Sequence, residues 1–585
     1  MKISEFLLIT IPFFLLTGCS EKHLITDKEY LRTVDISFRE KQQMASNRED
    51  ALFNVFDRRL SIPQNESLKF LFAFMPLSDL ADYSGDFFLA NADIALKTRL
   101  TSPWGKNIPE GIFLHYVLPP RVNNENLDSF RIVYNEEISR RISGLGMREA
   151  ALEINHWCHE KVTYQPSDIR TSGPMSTILS ARGRCGEEST FTVSALRAAG
   201  IPARQVYTPR WAHSDDNHAW VEIWSEGKWY YMGACEPEPQ LDLGWFTEPA
   251  RRAMLIHTKS FGAAYGNENT ITCSRNYCEI NDLSKYAVTK KICVKVTDKD
   301  DIPVSNASVE FQLYNYAEFY PLATVTTNDW GICCFETGLG DLLVWARKNE
   351  HFNFRKISVA ETDTVLLKLD RAAAGSYSED FDLKVPILRS PLEGPASDVI
   401  KKNSELLSRE NELRQTYINS WIKPAEIETL AVQKNIDPVL LKDLFAKSMG
   451  NYKSIKSFLS TGTDQDPDLA LSLLGAISEK DLRDTKAAIL NDHLNNCNNP
   501  LGLNTKDELF VKYVLNPRVS NEMLTSYREY FKSAFSSDFE SEALKDPAVI
   551  IKYIDETIKI ANEENYYKTP LTPKGVHELK LSDTK

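Results

Sequence analysis

Positive charge is in deficit. Across 585 residues, 68 Lys and Arg stand against 81 Asp and Glu, a net charge of −13. Phosphate binding needs a basic surface, so this balance argues against nucleic acid as a partner. An acidic excess commonly serves solubility and names no ligand by itself. The 10 cysteines include no CxxC pair, which removes the zinc-ribbon pattern, and neither a metal nor another cofactor is indicated. The apolar run from Phe6 to Leu16 is too short for an ordinary membrane span. The last third of the chain carries no internal repeat and no motif.

What is present suffices for several cores. An apolar content of 42% with 25% charged residues is ordinary for globular protein, and the length suits three or four domains.

The chemistry concentrates between Ala181 and Trp224. Cys185 stands in the turn Gly183-Arg184-Cys185-Gly186. A helical run from Glu187 to Ala199 follows, ended by Gly200 and Pro202. Then comes an apolar strand opening on a histidine, His218-Ala219-Trp220-Val221-Glu222-Ile223-Trp224. A thiol at a helix N-terminus meets free N–H groups and the positive end of the helix dipole, which favour the thiolate. Arg182 and Arg184 add positive potential, and His218 on a rigid strand is a plausible base. Backbone N–H groups at the helix start suit an oxyanion in acyl transfer.

The joint pattern, R-G-R-C-G-E, a helix, G-I-P-A-R, then H-A-W-V-E before G-K-W, resembles the transglutaminase-like cysteine superfamily, closest to the peptide:N-glycanase flavour. The resemblance covers roughly Glu153 to Glu238. It implies a papain-related fold, with Cys185 as nucleophile and His218 as the family histidine. The family places an aspartate four residues past the tryptophan of G-K-W, where this chain has Gly233. Glu236 is the leading candidate to orient the imidazole, ahead of Asp242 and Asn217. Without such a partner the tautomer is poorly set and activity falls by orders of magnitude.

The N-terminus resembles that of a bacterial lipoprotein. Leu16-Thr17-Gly18-Cys19 matches a lipobox, which implies cleavage before Cys19, lipidation there and firm attachment to a membrane. Ser20-Glu21 lacks the aspartate that favours inner-membrane retention, so the expected location is the outer membrane of a Gram-negative cell envelope.

The expected architecture is multidomain α+β. Residues 1–19 form the signal peptide and lipobox, 20–135 a mostly helical region, and 136–286 the papain-like, transglutaminase-like catalytic domain. Alternating short strands over 287–371 predict an Ig-like β-sandwich. Its Pro303–Ala307 and Thr327–Gly331 segments resemble carboxypeptidase-regulatory domains. A linker spans 372–396, and 397–585 is helical, with charged faces read as solvated. Cys273 and Cys278 are candidates to pair across a short loop, whereas Cys333 and Cys334 read as strand core. His156 and His159 are spaced to share a metal, but the commoner reading is structural, as it is for His257.

The leading functional expectation is a membrane-anchored thiol enzyme acting on amide or acyl bonds of a protein, peptide or glycopeptide. Hydrolysis is preferred over transfer to an amine, by analogy with extracellular degradative lipoproteins. The rival is a binding or scaffold lipoprotein whose transglutaminase-like domain has lost activity, supported by Gly233. A third reading places the function in the C-terminal helices.

Overall fold

A computed structural model describes residues 22–583 except 265, 267, 373–377, 379, 381, 388–393, 422, 463–465, 500–501 and 562–570. The apolar leader, Cys19 and much of the 372–396 segment therefore lie outside the described residues. Among the described residues, no helix is long and apolar enough to cross a membrane.

The first helices are α1 (Lys28–Met44), α2 (Ile62–Phe74) and α3 (Gly85–Thr101). Asp27 caps α1 by accepting from the Glu29 and Tyr30 N–H groups, and a Ser61/Gln64 capping box starts α2. These helices share one hydrophobic core with the region that follows. It runs from Leu24 and Ile25 through Phe70, Phe72 and Phe113 to Phe191, Val221 and Ala234. Trp104, Phe113 and His115 are buried in it or against it.

Helices α4 (Phe130–Arg141) and α5 (Met147–Lys161) flank the Gly144/Gly146 break, and α6 (Cys185–Ala198) follows. A six-stranded antiparallel sheet backs α6. Its strands are β1 (Ala203–Thr208), β2 (His218–Ser225), β3 (Lys228–Met232), β4 (His257–Phe261), β5 (Thr270–Cys273) and β6 (Tyr277–Asn281), in the order β3-β2-β1-β4-β6-β5. A disulfide joins Cys273 and Cys278 across the β5–β6 hairpin.

The next eight strands form two facing sheets around one core. They are β7 (Thr289–Thr297), β8 (Ser308–Asn315), β9 (Glu318–Thr326), β10 (Ile332–Gly338), β11 (Asp341–Lys348), β12 (His351–Ser358), β13 (Thr364–Lys368) and β14 (Arg371–Ala372). The sheets run β9-β8-β11-β12-β14 and β10-β7-β13. The expectation for Cys334 is corrected here. Cys334 faces Cys293 directly in the β7–β10 register and is bonded to it, while Cys333 alternates into the core.

The C-terminal region is helical and has its own core of Leu441, Phe445, Ile455, Phe458, Leu473 and Leu490, among others. It opens with α7 (Ser397–Asn419), and a later short helix is α8 (Glu479–Asp484). Helix α7 lies on α5. Glu410 accepts from His156 Nδ1 at 2.8 Å and His159 Nδ1 at 2.7 Å, and Asn403 donates to the Pro237 carbonyl at 2.9 Å. The histidine pair thus serves as an interdomain clasp. Charged side chains expected to be solvated are instead buried, Glu410 and Arg414 at this contact and Lys480 of α8 against Asp168, Arg170 and Glu187.

Candidate active site

The chain reaches the site through a tight turn. Ala181 takes the left-handed conformation at φ 53°, and Arg182 and Gly183 pair in parallel with Thr163 and Tyr164. Arg184 is the N-cap of α6 and Cys185 its first residue. Glu187 closes the helix start, its Oε2 accepting from the Arg184 N–H at 2.7 Å and its Oε1 from the guanidinium at 2.9 Å. Gln205 of β1 pins the first turn to the sheet, donating to Ser189 Oγ at 2.7 Å and the Gly186 carbonyl at 3.3 Å.

Cys185 is partly exposed, and the backbone N–H of Ala219, the residue after His218, lies close enough to its sulfur to favour the thiolate. The sulfur therefore lies at the histidine end of β2. Burial pushes the thiol up to about 11. The Ala219 N–H and Arg184 oppose that rise, while Glu188 and Glu187 add to it. Desolvation therefore works against the thiolate that the helix start and the two arginines were expected to favour. Arg184 is engaged by Glu187 and the Ile169 and Arg170 carbonyls, and Arg182 faces Arg483 and Glu479.

His218 is packed by rings, with centroids 4.6 Å from Trp245, 5.0 Å from Phe246 and 5.7 Å from Trp220. Burial pushes its imidazole down to about 4, and the buried Nε2 has no hydrogen-bond partner. Among the described residues, no hydrogen bond joins His218 to Cys185 or to Glu236. Burial thus disfavours the charged form of each group, the thiolate of Cys185 and the imidazolium of His218.

Strand β2 itself is rigidly held. Glu222 accepts from Arg204 at 2.8 and 2.6 Å and from Tyr286 Oη at 2.7 Å, and Asp282 completes the cluster at 2.6 Å from Arg204. The arginine of G-I-P-A-R and the glutamate of H-A-W-V-E are thus one buried ion pair across β1 and β2.

Glu236 accepts from Trp245 Nε1 at 2.9 Å. A Cβ on Gly233 would lie 3.2 Å from Glu236 Oε2 and 2.8 Å from the Glu236 carbonyl oxygen. The chain bends through left-handed Cys235, at φ 55°, so Glu236 folds back beside the position where the family carries its aspartate. Burial raises the Glu236 carboxyl, and the Trp245 hydrogen bond opposes this. The weaker candidates are engaged elsewhere. Asp242 accepts from the Tyr231 N–H at 3.0 Å, and Asn217 donates to Tyr207 Oη at 3.0 Å. His257 ion-pairs with Glu279.

Several residues were not anticipated. Glu188 lies one helical turn from Cys185, is buried, and has one oxygen without a partner. Burial, with Cys235 and Glu236 nearby, raises its carboxyl well above the usual range. The i, i+3 spacing from Cys185 was the available signal. Tyr164 and Trp245 are exposed at the site, and Tyr164 and Tyr207 both lie close enough to Cys185 that a thiolate there would raise their hydroxyls. No group of three or more His, Cys, Asp or Glu among the described residues is arranged to hold a metal.

Residues 135–234 match the family described as the transglutaminase-like superfamily. They carry a transglutaminase-like domain. The match encloses Cys185 and His218 and ends two residues before Glu236. A peptide-N(4)-(N-acetyl-beta-glucosaminyl)asparagine amidase of Eremothecium gossypii is 29% identical over 139 residues, 23% of this chain and 33% of that protein. An uncharacterized protein of Mycobacterium leprae is 28% identical over 97 residues, 14% of this chain and 34% of the other. The chain thus spans about a third of the length of these curated relatives. A solved structure of a candidate cysteine protease from Cytophaga hutchinsonii is 18% identical, covering 26% of this chain and 58% of that one, with a TM-score of 0.16. At that score the likeness carries nothing about the fold. In the transglutaminase-like domain, the helix start with Cys185 and the strand opening on His218 both lie within the matched residues.

Proposed function

We propose that this protein is a thiol enzyme that cleaves amide or acyl bonds of proteins, peptides or glycopeptides, with Cys185 as nucleophile and His218 as base. The observation that carries the reading is a partly open Cys185 at the start of α6, close to the Ala219 N–H at the histidine end of β2, inside the transglutaminase-like match. The amidase relative supports an amide as the bond class.

His218 takes the Cys185 proton as the sulfur attacks the carbonyl carbon, and free N–H groups at the start of α6 face the oxyanion. The imidazolium then protonates the departing amine, leaving a thioester on Cys185. Water, deprotonated by His218, attacks that thioester and releases the carboxylic acid and the thiol. Glu236 is the carboxyl proposed to orient His218 in place of the missing aspartate. Lipidation of Cys19 would hold the enzyme at a membrane of the bacterial envelope, the outer membrane by the lipobox pattern.

A second reading has its own support. A thiol near 11, an imidazole near 4 and an unpartnered Nε2 suit a domain kept for binding after catalysis was lost. An activity-based thiol probe on wild type and Cys185→Ala, followed by peptide and glycopeptide profiling, separates the two. Turnover abolished by Cys185→Ala supports the enzyme. No turnover of any profiled class, with intact folding, supports the binding protein.

A further inference from the structure

The segment that delivers Cys185 is gripped from both sides. Its far side is not solvent but the C-terminal helical domain. Ala181 belongs to that domain's hydrophobic core, and a Cβ on Gly450 would stand 2.4 Å from the Leu179 carbonyl oxygen. Arg170 reaches across to Asp484 at 2.8 Å and Asp481 at 3.6 Å. At the centre of this contact is Lys480 of α8, 4% exposed. Its ammonium donates to the Asp168 carbonyl at 2.9 Å, to the Arg170 carbonyl, and to Glu187 Oε1 at 2.9 Å. That glutamate also receives the Arg184 N–H and guanidinium at the start of α6.

We propose that Lys480 is a positioning residue for the Cys185 thiol, acting through Glu187: its ammonium fixes and neutralises the buried carboxylate that closes the helix carrying the nucleophile. This deepens the thiol-enzyme reading and rests on it. The C-terminal domain then completes the site. Among the described residues, the other cation on Glu187 is Arg184, which sits on the same helix start and cannot tie it to the opposite domain. Without Lys480, a buried carboxylate two residues from the sulfur loses half its compensation, and the helix start loses its anchor. The charged and titratable groups that act on or feel the sulfur are Glu188, Arg184, Glu187, Tyr164 and Tyr207, and His218 precedes Ala219, whose N–H is close to it.

The test is the pH profile of iodoacetamide alkylation at Cys185, read by site-resolved mass spectrometry on the full chain. Lys480→Met is expected to move the midpoint upward and slow alkylation about tenfold at fixed pH, the change for one pKa unit. Lys480→Arg is expected to restore most of it. Lys456→Met, which breaks the Lys456–Glu426 pair inside the helical domain, serves as the charge-loss control and is expected to change nothing. If Lys480→Met does not fold, Lys480→Gln, which removes the charge but keeps a polar donor, carries the same expectation. A folded Lys480→Met or Lys480→Gln variant with the wild-type midpoint and rate overturns the proposal. Absence of turnover in wild type would instead sink the enzyme reading, which the alkylation profile does not depend on.

Discussion

Burial, and not the helix dipole, sets the charge of Cys185, and alkylation kinetics measure this directly. The thiol is pushed up to about 11, against an unperturbed value near 8.5. At pH 8, a free thiol is about a quarter ionised, whereas one near 11 is ionised to about one part in a thousand, so alkylation is expected to run roughly 200-fold slower. His218 is neutral above about 4, so it supplies no counter-charge, and His218→Ala is expected to leave the midpoint in place. The assay is a pH series of iodoacetamide labelling resolved by peptide. Cys158, Cys235 and Cys333 are buried, and Cys497, in the helical domain, is distinguished by its own peptide. A Cys185 midpoint below ~8.5 that disappears in His218→Ala would refute the reasoning, since it would mean a resting thiolate–imidazolium pair.

Other perturbations have defined outcomes. Gly233→Ala places a Cβ against the Glu236 carbonyl and is expected to destabilise by about 1–3 kcal/mol, seen as a lower Tm in calorimetry. Glu410 is held down to about 2 despite burial, by hydrogen bonds from His156 and His159. Its folded value lies below the unfolded 4.5, so its contribution is complete above 4.5 and is lost as pH falls toward 2. After allowance for solvent screening that contribution is roughly 1–2 kcal/mol, and Glu410→Gln should remove it, flattening urea-derived stability across that window. His115 has the same sign for a different reason: burial lowers it to about 4, so it opposes folding progressively as pH falls from 6.5 to 4, and His115→Phe should weaken that acid sensitivity. The Cys293–Cys334 bond closes a 41-residue separation, and its double Ser variant is expected to lose about 4 kcal/mol on loop-entropy grounds, measured by chemical denaturation.

The local elements of the site were legible because their signals are local. The helix after Cys185 ends at Gly200, whose φ of 73° suits glycine, and the strand from His218 to Ser225 follows its apolar run. The Arg204–Glu222 pair shows why those two motif residues belong together, but only their register across β1 and β2 reveals it. What the sequence did not display is long-range. Cys333 and Cys334 point to opposite faces, as strand geometry requires, yet only the pairing with β7 puts Cys293 opposite Cys334. The thiol's charge depends on how fully the Ala219 end of β2 and its neighbours exclude water, which no spacing encodes. Glu410 and Lys480 look like ordinary helix-surface charges until their partners, His156 with His159 and Glu187, arrive from more than 250 residues away. The boundary near residue 135 is a change of composition and not of packing, since one core crosses it.

The most direct test of the central claim is capture of the acyl group on sulfur. Wild-type protein is mixed with an activated peptide ester and quenched in acid, and the adduct is mapped by mass spectrometry over time. The account requires one acyl group on Cys185, formed about 10²–10⁴-fold more slowly in His218→Ala and decaying to the free acid. Acylation elsewhere, or at Cys185 at an unchanged rate without the imidazole, would contradict it.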